Sequence, residues 1–287
     1  MPSTIPGIPN IILFGKTGSG KSSLINLIAG DCVAKTSPGA AGSTFDGQSY
    51  LVPVSTRTFR LWDTVGLNEP SLDVNGYLVA IEKAIKLIRD LEHEGITLLM
   101  FCIRGGRITA AAQNNYRLFF DILCDKEVPI ALVITNLENQ PSMEGWWEAN
   151  KKPFDRFGMH IVGHACIAAH PGPGDVHSDK HVETRQKMYE LLLSQTCAQA
   201  WKPEKTEWLT RLLGQLLEWN FGRSGSSGSR LGHQDLANGL KRCGCTKYET
   251  ICIASKIIHI GNGRYDGLVS LGYSDELDSV QYVRHLP

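Results

Sequence analysis

The hydrophobic pattern of the chain changes period several times, and each change marks an element. Residues 10–14 are apolar after Asn10 and stop at a glycine, as a parallel strand buried on both faces should. A helical segment follows over 21–29, with Leu24, Leu27 and Ile28 on its buried side. Stretches 48–54 and 58–62 are rich in β-formers, and only Ser55-Thr56-Arg57 separates them. A link that short cannot make a crossover, so the two strands must form an antiparallel hairpin. Beyond the hairpin the periods alternate: helix 77–93, with Leu78, Ile81, Ile85 and Ile88 at helical spacing, strand 96–103, helix 108–123, strand 128–135, helix 144–157, strand 160–168 and helix 180–194. Such strict succession predicts a three-layer α/β fold built on a mostly parallel sheet with one antiparallel strand.

The pattern breaks after about residue 200. Residues 206–221 place Trp208, Leu209, Leu212, Leu213, Leu216, Leu217 and Trp219 on a broad apolar face that needs a surface to dock on. Gly222-Arg-Ser-Gly-Ser-Ser-Gly-Ser229 has the composition of a flexible linker. The expected organisation is a tail over 1–9, one α/β domain over 10–200 and an amphipathic helix over 201–221, then a linker over 222–232 and a C-terminal extension over 233–287. That extension has β-type runs at 250–254 and 256–260 but no motif tied to chemistry.

Composition narrows the setting. With 287 residues, 42% of them hydrophobic, the chain can build one full-sized core and an extension. Basic and acidic residues balance at 29 each, which argues against nucleic acid as a partner. The longest apolar run, 98–103, is too short to span a bilayer, and the N-terminus lacks the charged-then-apolar order of a signal peptide. Scattered cysteines, several in apolar segments, suggest reduced thiols and a cytoplasmic setting.

The candidate chemistry begins between the first strand and the first helix. There Gly15-Lys16-Thr17-Gly18-Ser19-Gly20-Lys21-Ser22 satisfies the spacing Gly-x4-Gly-Lys-Ser/Thr, with Ser23 next in line. Its glycines let successive N–H groups face a phosphate at the positive end of the helix. Lys21 would neutralise β- and γ-phosphates, and Ser22 would ligate magnesium. After the hairpin comes Asp63-Thr-Val-Gly66, where a carboxylate can hold magnesium and the Gly66 N–H can meet a γ-phosphate. The polar loop between them offers Thr44 as the hydroxyl that completes the metal shell, with Ser43 and Thr36 as alternatives. Trp146-Trp147 reads as core and rim packing, and His160, His164 and His170 lack a convincing set of metal partners.

In its order of parts, the chain from about 10 to 196 resembles a translation-factor-class P-loop GTPase. Residues 15–26, Ser43-Thr44-Phe45 and Trp62-Asp-Thr-Val-Gly-Leu67 look most like septins, immunity-associated GTPases, plastid import GTPases and uncharacterised fungal G-domain proteins. The resemblance implies a six-stranded sheet with the hairpin strand at one edge, GTP or GDP as ligand and Mg2+ as cofactor. It aligns Thr135-Asn136-Leu137-Glu138 with the family's Asn/Thr-Lys-x-Asp base motif, so Glu138 would accept from guanine while Asn136 replaces the usual lysine. Ala168, in Ala165-Cys166-Ile167-Ala168, takes the position whose main-chain N–H meets the guanine carbonyl. Leu67 stands where many relatives carry a water-orienting glutamine, which implies slow hydrolysis. Dimerisation through the nucleotide face is a further family expectation, with the effector unknown. Two readings stay open: a magnesium-dependent GTPase switch, and a nucleotide-binding interaction module that hydrolyses negligibly.

Overall fold

The computed structural model describes residues 7–34, 48–64, 86–88, 90–169, 178–196 and 199–203. The chain divides into two units, Met1–Pro203 and Glu204–Pro287, and the description belongs to the first. Its elements are β1 (Asn10–Phe14), α1 (Lys21–Ala29), β2 (Gln48–Val54), β3 (Arg57–Asp63), β4 (Leu98–Arg104), α2 (Ala110–Tyr116), β5 (Ile130–Thr135), α3 (Met143–Arg156), β6 (Gly163–Cys166) and α4 (Ser178–Gln195).

The strands form one six-stranded sheet in the order β2-β3-β1-β4-β5-β6. All neighbours run parallel except β2 and β3, whose antiparallel register joins Gln48 to Asp63 and Val54 to Arg57. This matches the expected sheet, with the antiparallel strand at an edge. The hairpin link is tighter than its sequence suggests: Arg57 joins β3, and Ser55 turns the chain with φ 55°. All five residues of β1 and all six of β5 are buried, as strands covered on both faces must be. On one face lies a cluster that includes Leu24, Ile28, Val52, Leu61 and Leu192. On the other, the Phe14 ring stacks on Phe101 at 4.9 Å and on Phe119 at 4.4 Å between centroids.

Two elements depart from expectation for identifiable reasons. The helix read over 108–123 starts at Ala110, capped by Thr109 Oγ1, which accepts from the Ala112 N–H at 3.2 Å. It then widens into a π-helix over Arg117–Leu123. Leu118, Phe119, Phe120, Ile122 and Leu123 are all buried there, more consecutive apolar residues than a 3.6-residue period brings inward. Strand 160–168 shrinks to Gly163–Cys166, because only those residues pair with β5. Ile96 lies outside β4 and instead exchanges main-chain hydrogen bonds with Trp201, both at 2.8 Å. The segment after α4 thus returns to the sheet end opposite the glycine loop. Most of the helix expected over 77–93 and everything expected beyond 203 lie outside the described residues.

Candidate functional site

The carboxyl ends of β1, β3, β4 and β5 meet at one edge of the sheet, and the glycine loop 15–20 crosses above them. Gly15 has φ +143°, and a Cβ there would stand 2.0 Å from the Cys102 carbonyl oxygen of β4, so the loop can leave β1 only through glycine. Gly20, at φ +88°, caps α1, and a Cβ on it would press on Thr135 Cγ2 at 3.2 Å. Thr135, at the end of β5, donates from Oγ1 to Ser19 O at 2.9 Å and Ile103 O at 3.2 Å, tying the loop to two parallel strands. Lys16, Thr17 and Gly18 at the crest are exposed.

Lys21 opens α1 and turns back beneath the loop, where Nζ donates to Gly15 O at 3.0 Å. The side chain is only 6% exposed. Burial lowers its pKa below the ordinary 10.5, while the Asp63 carboxylate pulls the other way. A desolvated ammonium held by one neutral carbonyl is poised to take a stronger acceptor. Next to it, Ser22 Oγ donates to Asp63 Oδ2 at 2.7 Å. Asp63 is the last residue of β3, one place earlier than its reading as the start of the following loop, and is 4% exposed. Among the described residues its Oδ1 has no hydrogen-bond partner, and neither has Ser19 Oγ.

These orphan oxygens test the fit of the expected ligands. A buried carboxylate oxygen without a donor is costly unless a cation or donor joins it, and here it lies on the residue already bonded to Ser22. A hard divalent cation that takes oxygen ligands suits this pair. A glycine loop leading into the first turn of α1, in which the Ser19 N–H donates to Lys16 O at 2.9 Å, suits phosphate. Thr44, Gly66 and Leu67 lie outside the described residues.

The expected base end is built differently. Asn136 adopts φ +66° and is exposed, and its Oδ1 accepts from Arg104 Nη2 at 2.7 Å. Leu137 is 1% exposed, anchoring a turn in which the Gln140 N–H donates to Leu137 O at 3.1 Å. Glu138 is half-buried at that turn, and its carboxylate makes no hydrogen bond or ion pair among the described residues. Lys180, in the first turn of α4, donates from Nζ to Glu138 O at 2.8 Å and Gln140 O at 2.7 Å. Composition and motif spacing gave no sign of Lys180, which is 42 positions downstream of Glu138. Ala168 follows β6, fully buried, and its N–H donates to Thr184 Oγ1 at 3.1 Å rather than facing an open site. A cavity of about 690 Å³ opens between α1 and α4, lined by Ser23, Asn26, Ala169, His181 and Arg185 among others.

Of the weaker candidates, His170 lies outside the described residues, and Trp147 and His164 pack together. Trp147 stacks on His164 at 4.4 Å and tilts against Phe154 at 5.4 Å. His164 Nε2 lies 2.5 Å from Glu144 Oε1, and Glu144 also pairs with Lys187 at 3.8 Å. Among the described residues no group of three or more potential ligands converges on a metal position.

Glycine loop, buried lysine and serine–aspartate pair sit at the mouth of a sheet that has the P-loop GTPase fold. Residues 10–136 match the family model described as a 50S ribosome-binding GTPase. GTPase Der of Campylobacter curvus is 28% identical over 162 residues, 56% of this chain and 32% of its own length. GTPase Der of Mycobacterium leprae is 31% identical over 133 residues, 42% of this chain and 29% of its own. The chain thus spans about a third of the length of these curated relatives. Among solved structures, Era in complex with MgGDPNP and 16S ribosomal RNA nucleotides is similar in fold, with TM-score 0.50 and 17% identity over 73% of this chain and 67% of that one. Among the described residues no helix is long and apolar enough to cross a membrane.

Proposed function

We propose that this chain is a guanine-nucleotide-binding switch that hydrolyses GTP slowly with magnesium. The observation that carries this reading is the buried Lys21 ammonium, resting on Gly15 O beside an Asp63 carboxylate whose Oδ1 has no partner among the described residues. The main-chain N–H groups of 15–22 would bind the β- and γ-phosphates, and Lys21 would move its donors from Gly15 O onto them. Ser22 and Asp63 would hold Mg2+, joined by Thr44, and Gly66 would sense the γ-phosphate. When bound, the metal would neutralise charge gathering on the phosphates. Glu138 would read the base, and a carboxylate with no partner among the described residues supports this. The Ala168 N–H, already bonded to Thr184, would have to exchange that partner to serve the base.

Slow turnover rests on Leu67, because an apolar side chain cannot orient a water. The resemblance to septins and to immunity-associated and plastid import GTPases supports a homodimer through the nucleotide face that raises the rate. The free thiols of Cys32, Cys102, Cys124 and Cys166 suit a cytoplasmic setting. In this reading 10–200 is the G domain, 201–221 an amphipathic helix, 222–232 a linker and 233–287 an extension.

Titration of the purified protein with GTP, ATP and XTP, with and without magnesium, tests the reading when phosphate release is followed over a range of protein concentrations. Magnesium-dependent GTP binding that Lys21→Ala removes is the expected outcome. Turnover that rises with protein concentration supports the dimer. Tight GTP binding without turnover at any concentration would favour the second reading, an interaction module, which the leucine at position 67 already makes a serious alternative.

A further inference from the structure

The turn that carries Glu138 is held by a residue from another element. Glutamate is one methylene longer than the aspartate of the family motif, and its extra torsion widens the region its carboxylate samples. A carboxylate can select a base only if its main chain is fixed, since every freedom frozen on binding subtracts from the selective hydrogen bonds. The motif lysine is absent, with Asn136 in its place and committed to Arg104 on the surface. Instead the Lys180 ammonium bridges two carbonyls of the turn, Glu138 O and Gln140 O, at 2.8 and 2.7 Å. It grips the main chain on both sides of position 139 and leaves the Glu138 carboxylate without a partner among the described residues.

We propose that Lys180 is a positioning residue for base selectivity: from the first turn of α4 it locks the turn 137–140 so that the Glu138 carboxylate is presented to the N1–H and N2 amino edge of a guanine. This inference rests on the reading of the chain as a guanine-nucleotide binder. It assigns the discriminating geometry to a contact between α4 and the β5–α3 turn rather than to the motif alone. The chemical class selected is a 6-oxopurine with a 2-amino group. Xanthine, with a carbonyl at position 2, would set oxygen against the carboxylate, and hypoxanthine would leave one carboxylate bond unmade.

The test is equilibrium titration of the full chain with GTP, XTP, ITP and inorganic triphosphate in magnesium buffer, for wild type, Lys180→Met and Lys180→Arg. Lys180→Met should lower the preference for GTP over XTP and ITP about tenfold, the scale of a lost charged hydrogen bond, and leave triphosphate affinity within about twofold. Lys180→Arg, which keeps charge and donors, should restore most of the preference. A purely structural role would instead weaken all four ligands together or only lower the unfolding temperature. Should Lys180→Met not fold, Lys180→Gln carries the same expectation, being too short to bridge both carbonyls. A folded Met or Gln variant with the wild-type GTP preference overturns the role of Lys180, and so does a wild type with no preference among the three nucleotides. The nucleotide reading itself falls only if Lys21→Ala leaves triphosphate binding unchanged.

Discussion

The phosphate end and the base end of the site sit on the same sheet edge but are assembled by opposite means. At the phosphate end the described candidate atoms belong to one stretch of eight residues, 15–22, together with the Asp63 carboxylate from the adjacent strand. At the base end the sequence motif is altered, and distant residues shape it: Lys180 from α4 and Arg104 from β4. In the proposed reading, the contrast teaches that phosphate recognition is a property of local backbone, whereas base recognition depends on tertiary contacts. Errors in the first should abolish binding, and errors in the second should blur it.

The largest effect should come from the loop itself. Gly15→Ala forces a methyl 2.0 Å from Cys102 O, so the loop must move and nucleotide binding should fall below detection in calorimetric titration. Lys21→Ala removes the buried ammonium without that clash and should cost roughly 100-fold in triphosphate affinity. A smaller loss from Lys21→Ala than from Glu138→Gln would reverse the ranking of the two ends.

Asp63→Asn comes next. It keeps the shape and a partner for Ser22 but removes the charge that would attract the metal. Affinity with magnesium should drop by about tenfold or more while affinity in EDTA changes little, so the magnesium dependence collapses. If the dependence persists, Asp63 is not the metal carboxylate.

Glu138→Gln should weaken GTP about tenfold and leave inorganic triphosphate unchanged, since a neutral amide cannot accept both guanine donors. Equal losses for both ligands would merge the two ends into one unit.

A pH series sharpens the phosphate side. Burial lowers the Lys21 pKa from 10.5, so between its folded and unfolded values the unfolded chain holds more protons at this position. Its contribution therefore makes the ligand-free protein more stable as pH rises through that window. Nucleotide affinity moves the other way, falling as the amine loses the proton that phosphate needs. Thermal unfolding with and without GTP across alkaline pH should show these opposite trends, and Lys21→Met should remove both.

The smallest effect is expected from Arg104→Ala. Its hydrogen bond to Asn136 is exposed, and contacts of that kind contribute about 0–1 kcal/mol. GTP preference should shift less than about threefold. A larger shift would place Arg104 beside Lys180 as a second brace of the base end.

Much of the fold was legible because hydrophobic period reports local burial. Strand β1, helix α1 and the edge hairpin were readable from runs, glycine stops and a short link. The π-helical turn at Arg117–Leu123 was not, because a crowded apolar stretch does not say whether the backbone will widen or leave a residue exposed. The Ile96–Trp201 pairing was equally hidden, joining positions that no periodicity connects. At the site, Lys21, Ser22 and Asp63 were identified by spacing, and the structure brings them together.

By itself the sequence determined the phosphate cradle, since glycine positions, a lysine and the first turn of a helix act through chain neighbours whose geometry is set by local torsions. Only the tertiary structure decided that Asp63 keeps one oxygen without a partner among the described residues, that the Ala168 amide is already taken by Thr184, and that Lys180 grips the turn bearing Glu138. Those facts depend on where separate elements come to rest against one another, and packing of the whole domain fixes that after every local preference has been satisfied.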